Sequence, residues 1–269
     1  MSTNQFELAD GARIAYTDSG NGRPLLLLHG VCMSRAFFER NVDALSRDHR
    51  VISVDFRSHG DSPAAEGGHT VAQYARDVHR LLEHLDLDAV TAAGWSMGAL
   101  VLWDYLVQFG ADRFSSVVVV SQGPSDLTQV DWPHGIADLP QLGGFLEAMQ
   151  ADFRGFFDGF VPMMFKDELA AEQQGRFVEA ICGVGANAGT VIFVDQTLQD
   201  YRSQISRFTI PHLLIWGADE KVIKQASGEW LAKNLPDAEY QVFDNSGHCP
   251  MWEEADRFNA TLGDWVSRH

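Results

Sequence analysis

The sequence predicts an α/β fold in which a mostly parallel, doubly wound sheet is interrupted by one helical insertion. Short apolar runs alternate with segments of helical periodicity as far as Val120, and the alternation resumes at Pro211. Strands of a parallel sheet are buried on both faces, so they are apolar along their whole length, and the helices between them supply the crossovers. The intervening segment has apolar residues at helical spacing and no strand-like run.

The N-terminal elements are predicted in the order hairpin, strand, helix, strand. Asp10-Gly11 between two short extended runs is typical of a hairpin turn. Residues 24–28 and 50–55 are continuous apolar runs and predict buried strands. Apolar residues recur at helical spacing over 37–45, so a helix is expected between these strands.

The pattern continues through the centre of the chain and returns after the insertion. A helix with one apolar face is predicted over 71–85, followed by a strand at 90–94, a helix to about Gln108 and a strand at 116–120. Beyond the insertion the predicted elements are a strand at 211–216, a helix over 226–235, a strand at 239–243 and a closing helix over 258–266. The predicted core therefore comprises residues 1–123 and 206–269.

The composition is that of a folded, acidic protein. The 269 residues are 45% hydrophobic, enough to bury a large core. Asp and Glu number 37 against 20 Lys and Arg, and the net charge of -17 disfavours nucleic acid and anionic membrane surfaces as partners. No apolar run approaches the roughly 20 residues that span a bilayer.

Cysteine usage and the first residues favour a cytoplasmic location. Cys32, Cys182 and Cys249 are widely spaced and odd in number, which suits reduced thiols better than a disulfide framework or a zinc site. Residues 1–7 carry neither the basic nor the apolar region of a secretion signal. We therefore expect a cytoplasmic protein with no metal and no membrane or nucleic-acid partner.

The insertion, residues 124–205, is rich in Phe and Met. Its large apolar residues include Trp132, Phe145, Met149, Phe153, Phe156, Phe157, Phe160, Met163, Met164 and Phe165. They form either the insertion's own core or the underside of a helical cap that closes over an apolar substrate site. Under the second alternative, Phe157 and Met164 are candidate substrate-binding residues, together with Trp95.

The segment Gly94-Trp95-Ser96-Met97-Gly98 joins a predicted strand to a predicted helix and has the G-x-S-x-G form of a nucleophile elbow. A serine at such a turn takes a strained backbone conformation that exposes its Oγ above the sheet. Glycines flank the turn because side chains there would collide with a neighbouring strand or helix. The Met97 N–H, the first of the helix, then points at an oxyanion formed beside the serine.

His248 is the histidine best placed to act as the base for Ser96. It follows the last predicted strand, and the carboxyl ends of parallel strands share one edge of the sheet. His29-Gly30-Val31 follows an earlier strand at the same edge, where the Val31 N–H can supply a second oxyanion donor. We expect His29 itself to stabilise that turn.

These motifs resemble the α/β-hydrolase family over essentially the whole chain. The matching motifs are His29-Gly30, Asp55-x-Arg57-x-His59-Gly60-x-Ser62, Gly94-Trp95-Ser96-Met97-Gly98 and Gly247-His248, all in family order. The resemblance implies an eight-stranded sheet, a cap inserted after strand six, a Ser–His–acid triad and an oxyanion hole from the backbone of Val31 and Met97. The sequence is most similar to the small bacterial branch of cofactor-free haloperoxidase-like esterases, lactonases and carbon–carbon hydrolases.

The sequence leaves more than one candidate for the acid of the triad. Relatives usually have Gly-x-x-Asp after strand seven, whereas this chain has Gly217-Ala218-Asp219-Glu220, which puts Glu220 at the matching position. A glutamate can orient a histidine if its longer arm is accommodated. Asp219, one residue earlier, is an alternative. Asp126 is another, because it lies near the end of strand six, where some family members carry their acid.

The expected chemistry is transfer of an acyl group to water, with a small and largely apolar ester or lactone as substrate and no cofactor. Two alternatives use the same fold. One is a cofactor-free oxygenase or carbon–carbon hydrolase, in which the histidine–acid pair deprotonates the substrate. The other is a ligand receptor that keeps the pocket and turns over slowly.

Overall fold

The computed structural model describes residues 2–269 and contains one eight-stranded sheet in the order β1-β2-β4-β3-β5-β6-β7-β8. The strands are β1 Asn4–Glu7, β2 Arg13–Ser19, β3 Pro24–Leu28, β4 Arg50–Asp55, β5 Val90–Trp95, β6 Phe114–Val120, β7 His212–Gly217 and β8 Ala238–Phe243. Strand β2 is antiparallel to both neighbours, and every pairing from β4 to β8 is parallel. The predicted fold class, a mostly parallel sheet of eight strands, is confirmed.

Ten α-helices are assigned among the described residues. They are α1 Val42–Leu45, α2 Val71–His84, α3 Met97–Phe109, α4 Leu139–Ala151, α5 Phe153–Phe160, α6 Ala171–Cys182, α7 Ala186–Thr197, α8 Gln225–Asn234, α9 Pro250–Glu253 and α10 Ala255–Arg268. The predicted helix over 37–45 is instead a 3₁₀ turn at Arg35–Phe38 followed by α1. Between the two, the buried Asn41 side chain donates hydrogen bonds to Met251 O and Asn259 Oδ1, which fixes the chain there.

The central strands are buried on both sides, as their composition requires. Leu25 to Leu28 of β3 and Val117 to Val120 of β6 are almost completely inaccessible to solvent. In register, Leu28 lies opposite Gly94 of β5, and Gly94 lies opposite Val119 of β6. The carboxyl ends of these strands therefore meet at one edge of the sheet, where the loops bearing the motif residues emerge.

Helices α4 to α7 lie between β6 and β7, within the inserted segment (residues 124–205). Polar contacts attach this segment to helices of the core, among them one on α2 and one on α3. Asp195 Oδ2 accepts a hydrogen bond of 2.7 Å from the Val71 N–H at the start of α2, and the Tyr201 hydroxyl donates one of 2.7 Å to Asp104 Oδ2 on α3. The inserted segment is thus anchored on two neighbouring core helices.

Among the described residues, no single helix has the length and apolar composition to cross a membrane, whereas one bent pair, α6 with α7 at 89°, meets that test by length and composition.

Two glycines permit a close approach of β5, α3 and β3. A Cβ added to Gly94 would overlap the backbone of Gly98 and Ala99, and one added to Gly98 would overlap the Leu28 carbonyl. Neither glycine has a positive φ. Glycine is therefore required at both positions by the lack of space for a side chain and not by the backbone conformation. Helix α3 can therefore begin directly against the carboxyl end of β3.

We predict that Gly98→Ala lowers the free energy of unfolding by about 1–3 kcal/mol, because the backbone oxygen of Leu28 has no room to move away. Urea denaturation measures the change. The control is Gly144→Ala in α4, where a Cβ meets nothing within 4 Å, and where alanine should stabilise the helix by about 0.5–1 kcal/mol. Equal effects of the two substitutions would contradict the packing argument.

Candidate active site

Ser96 occupies the turn between β5 and α3 in a strained backbone conformation. Its φ and ψ are 53° and -127°, outside the regions that non-glycine residues ordinarily adopt. The Ser96 N–H donates to Val120 O at 2.9 Å, so the end of β6 holds the turn in place. Strain of this kind is kept only where the surrounding structure imposes it, and it often marks a functional site.

The loops after β7 and β8 bring Glu220 and His248 together. Glu220 Oε2 lies 2.9 Å from His248 Nδ1, and both side chains are almost fully buried. The other carboxylate oxygen, Oε1, accepts hydrogen bonds from the Val222 and Ile223 N–H groups at 2.8 and 3.2 Å. An ionised carboxylate only accepts hydrogen bonds, so Nδ1 carries a proton and Nε2 is the imidazole nitrogen available to another partner.

These contacts decide the charge of Glu220. Burial alone raises the pKa of this carboxyl group, but the neighbouring His248, its hydrogen bond and the amides of Val222 and Ile223 outweigh burial. The pKa of Glu220 is therefore lowered below its usual value of 4.5. The carboxylate stays ionised at neutral pH, which is the state that can orient an imidazole.

The backbone of His248 is fixed from two directions. Its N–H donates to Met164 O at 2.8 Å, and its carbonyl accepts a hydrogen bond of 2.8 Å from the Trp95 indole N–H. Met164 belongs to the inserted segment and Trp95 immediately precedes Ser96. The position of the imidazole is thereby tied to both the elbow and the insertion.

The loop after β3 lies directly beside the serine. A Cβ built on Gly30 would be 3.2 Å from Ser96 Cβ. In the part of the chain that the structure describes, no protein group accepts a hydrogen bond from the Val31 or Met97 N–H. Met97 is the first residue of α3, where a helix leaves its N–H without an internal partner. Both amides are therefore available to an oxyanion.

His29 stabilises this loop through its ring. Its Nε2 accepts a hydrogen bond of 3.1 Å from the Phe56 N–H, so Nδ1 carries the proton and donates to Gly30 O at 2.8 Å. Complete burial, followed by the nearby His59, places the pKa of His29 well below its ordinary value of 6.5. His29 is accordingly a neutral ring in the turn, as the sequence suggested.

A cavity of about 280 Å³ connects these groups. Its polar lining residues are Ser96, Asp126, Gln196, Lys221 and His248, and the remaining lining is mostly apolar. The inserted segment contributes Ile136, Phe145, Phe156, Phe160, Met163, Met164 and Phe193. A cavity with few polar groups in an apolar wall is typical of a site for a small, largely apolar molecule.

The three candidate substrate-binding residues have different positions. Trp95 and Met164 line the cavity. Phe157 differs from the expectation, since it is absent from the lining and is fully buried within the inserted segment. It packs edge-on against Phe153, Phe156 and Phe160, so it belongs to the insertion's own core. Helical periodicity could not separate the inner face of α5 from the face toward the cavity.

Asp219 and Asp126, the two alternative acids, make no hydrogen bond with His248. Asp219 is exposed over about half of its side chain and forms an ion pair of 3.0 Å with Lys166. Asp126 is buried and lines the cavity, where its Oδ1 accepts a hydrogen bond of 2.7 Å from Gln122 Nε2. Of the three carboxylates, only Glu220 has the geometry of a histidine partner.

Asp126 is electrostatically the opposite of Glu220. Burial raises its pKa from 3.8 to about 7, although the Gln122 hydrogen bond and the nearby His248 act in the other direction. Gln196 and Lys221 are the two polar residues at the cavity wall that the sequence analysis did not identify, and of these Gln196 is buried. A glutamine inside an apolar helical pattern was the only sequence feature that could have drawn attention to it.

Comparison with known proteins agrees with this fold. A family model described as alpha/beta hydrolase fold matches residues 23–255. An esterase from Exiguobacterium antarcticum superposes with a TM-score of 0.94 at 25% identity, over 99% of this chain and 100% of the other. A bromoperoxidase from Bacillus anthracis gives the same TM-score and identity over 100% of both chains. A non-heme chloroperoxidase from Kitasatospora aureofaciens is 27% identical over 96% of this chain and 98% of its own length.

The raised pKa of Asp126 makes a prediction about stability. The group binds a proton more tightly in the folded than in the unfolded chain, so stability falls as pH rises from about 4 through about 7, by a few kcal/mol if nothing else relaxes. Asn cannot ionise. The Tm of Asp126→Asn minus the Tm of the wild type, measured by thermal unfolding, should therefore increase from pH 5 to pH 8. Asp131→Asn, an exposed neighbour paired with Arg202, is the control and should show no such gain. A constant Tm difference for Asp126→Asn would contradict the raised pKa.

Proposed function

The chain belongs to the alpha/beta hydrolase fold family, and from that premise we propose that it is a serine hydrolase that cleaves an ester or lactone through an acyl-enzyme intermediate. The observation that carries the proposal is the contact between Glu220 and His248 at the cavity that the strained Ser96 also lines. It leaves the imidazole with one nitrogen held by the acid and the other facing the cavity that Ser96 also lines. The esterase named among the structural neighbours supports the same class of reaction.

In the proposed mechanism, His248 Nε2 takes the Ser96 hydroxyl proton as Oγ attacks the substrate carbonyl carbon. The carbonyl π electrons move onto oxygen, and the amides of Val31 and Met97 donate to this oxyanion. The tetrahedral intermediate collapses, and His248 returns the proton to the departing alkoxide. Water then attacks the acyl-enzyme with the same base, releasing the acid and restoring Ser96. The ionised Glu220 stabilises the imidazolium of His248 both in the acylation of Ser96 and in the hydrolysis of the acyl-enzyme.

The inserted segment is proposed to act as a cap that sets specificity. It supplies most of the aromatic wall of the cavity, including Phe145, Phe160 and Phe193, while the catalytic groups come from the core. Apolar side chains at these positions favour an apolar acyl or alcohol group, and each lost methylene contact is worth about 1–3 kcal/mol in discrimination. The small volume of the cavity favours a small substrate.

We predict that Ser96→Ala abolishes hydrolysis of p-nitrophenyl butyrate, measured as release of p-nitrophenolate, while the far-UV circular dichroism spectrum stays that of the wild type. Ser96 lies at the cavity wall, so loss of its hydroxyl should cost little folding free energy, whereas it removes the nucleophile. If the variant instead kept near-normal turnover, the histidine–acid pair would be acting on its own, as in oxygenation or carbon–carbon cleavage.

Glu220→Gln should lower kcat for the same ester by up to about 10⁴-fold, because a neutral amide neither enforces the Nδ1–H tautomer nor stabilises the imidazolium. The matched control is Asp219→Asn, one residue earlier, whose carboxylate contacts Lys166 and not the histidine. That variant should stay within a few-fold of the wild type. A severe effect of Asp219→Asn with a mild effect of Glu220→Gln would transfer the role of the acid.

A further inference from the structure

Asp126 is a buried carboxyl group at the cavity that the proposed mechanism does not use. It follows β6, next to the strand that carries Ser96. One of its oxygens, Oδ2, is completely buried and has no hydrogen-bond partner among the described residues. A buried polar atom without a partner is costly, so its retention at a binding cavity points to a partner that arrives with the ligand.

The neighbouring glutamine determines which oxygen of Asp126 carries the proton when the carboxyl group is un-ionised. Gln122 Nε2 donates both to Gly123 O at 3.0 Å and to Asp126 Oδ1 at 2.7 Å. The amide cannot be flipped, because its oxygen would then face the Gly123 carbonyl oxygen. Oδ1 is therefore an acceptor, and a proton on the carboxyl group resides on Oδ2.

The surroundings of Asp126 favour the protonated form. Within residues 2–269, no Arg or Lys forms an ion pair with Asp126. The charged or titratable groups that share its cavity are His248, already paired with Glu220, and Lys221, whose ammonium group donates to Phe165 O at 2.8 Å. Burial outweighs these groups and raises the pKa of Asp126 to about 7. An un-ionised carboxylic acid is a hydrogen-bond donor.

We propose that Asp126 Oδ2 donates a hydrogen bond to a second oxygen of the substrate, such as a ketone or amide carbonyl, in addition to the ester or lactone carbonyl attacked by Ser96. This inference rests on the proposed function and narrows the substrate to bifunctional acyl compounds. Gln196 is the companion polar group at the cavity, since its buried amide oxygen also has no partner among the described residues. The subsite is distinct from the triad, because Glu220 already occupies His248 Nδ1.

The test compares p-nitrophenyl hexanoate with its 4-oxo and 5-oxo analogues. The readout is the ratio of kcat/KM for an oxo ester to that for the parent ester, so a general change in activity cancels. In the wild type at pH 6, at least one oxo ester should be preferred by about tenfold, the worth of one hydrogen bond of about 1.4 kcal/mol. The preference should be lost in Asp126→Leu, which has no donor.

The Asp126→Asn variant distinguishes a role of Asp126 as a hydrogen-bond donor from a role as a negative charge or as a packing group. Gln122 donates to the acceptor atom at Oδ1, so the amide nitrogen of asparagine takes the place of Oδ2 and supplies an N–H donor at the same position. The preference for the oxo ester should persist in this variant. It should also become independent of pH, whereas the wild-type preference falls as pH rises through about 7 and Oδ2 loses its proton. Asp131→Asn should behave like the wild type.

Three results would overturn the inference while leaving the proposed function intact. They are hydrolysis of the parent ester with no oxo preference in the wild type, retention of the preference by Asp126→Leu, and its loss in Asp126→Asn. The wild-type pH profile requires no variant to fold, so it tests the donor directly. Failure of the wild type to hydrolyse any of the three esters would instead contradict the proposed function, and the inference with it.

Discussion

The buried hydrogen bond between His248 and Glu220 is the interaction on which the geometry of the site depends. A carboxylate removed from water is stable only when its oxygens are fully hydrogen-bonded. Glu220 meets this requirement with the imidazole and the amides of Val222 and Ile223, so the loops after β7 and β8 have to come together. The two loops pack so closely that a Cβ on Gly217 would overlap the Gly247 carbonyl oxygen.

Two carboxyl groups near one histidine take opposite charge states because of their hydrogen bonds. Glu220 has three donors, and its pKa falls in spite of burial. Asp126 has one neutral donor, Gln122, and burial keeps its pKa raised, at about 7. A pair of titratable groups whose pKa values are pushed apart can perform different tasks at one pH, here orientation of the base and donation to a ligand.

Much of the fold was predictable because each rule it follows is local. The apolar strands at 24–28 and 116–120 and the glycines beside Ser96 reflect burial and close approach, which sequence patterns record. Which neighbours a helix face packs against is not determined locally. Phe157 and Phe160 share α5, yet of the two only Phe160 lines the cavity. Glu220 could be placed by its offset from Gly217, but the contrast with Asp126 depends on Gln122 and on burial, which required coordinates.

Trapping the acyl-enzyme tests the account most directly. A bulky p-nitrophenyl pivalate acylates a serine nucleophile and deacylates slowly, so rapid acid quenching followed by peptide mass spectrometry locates the acyl group. The account predicts one pivaloyl adduct, on the peptide that contains Ser96, formed at the rate of the p-nitrophenolate burst and much more slowly in Glu220→Gln. Turnover with no adduct, or an adduct on a residue other than Ser96, would contradict it.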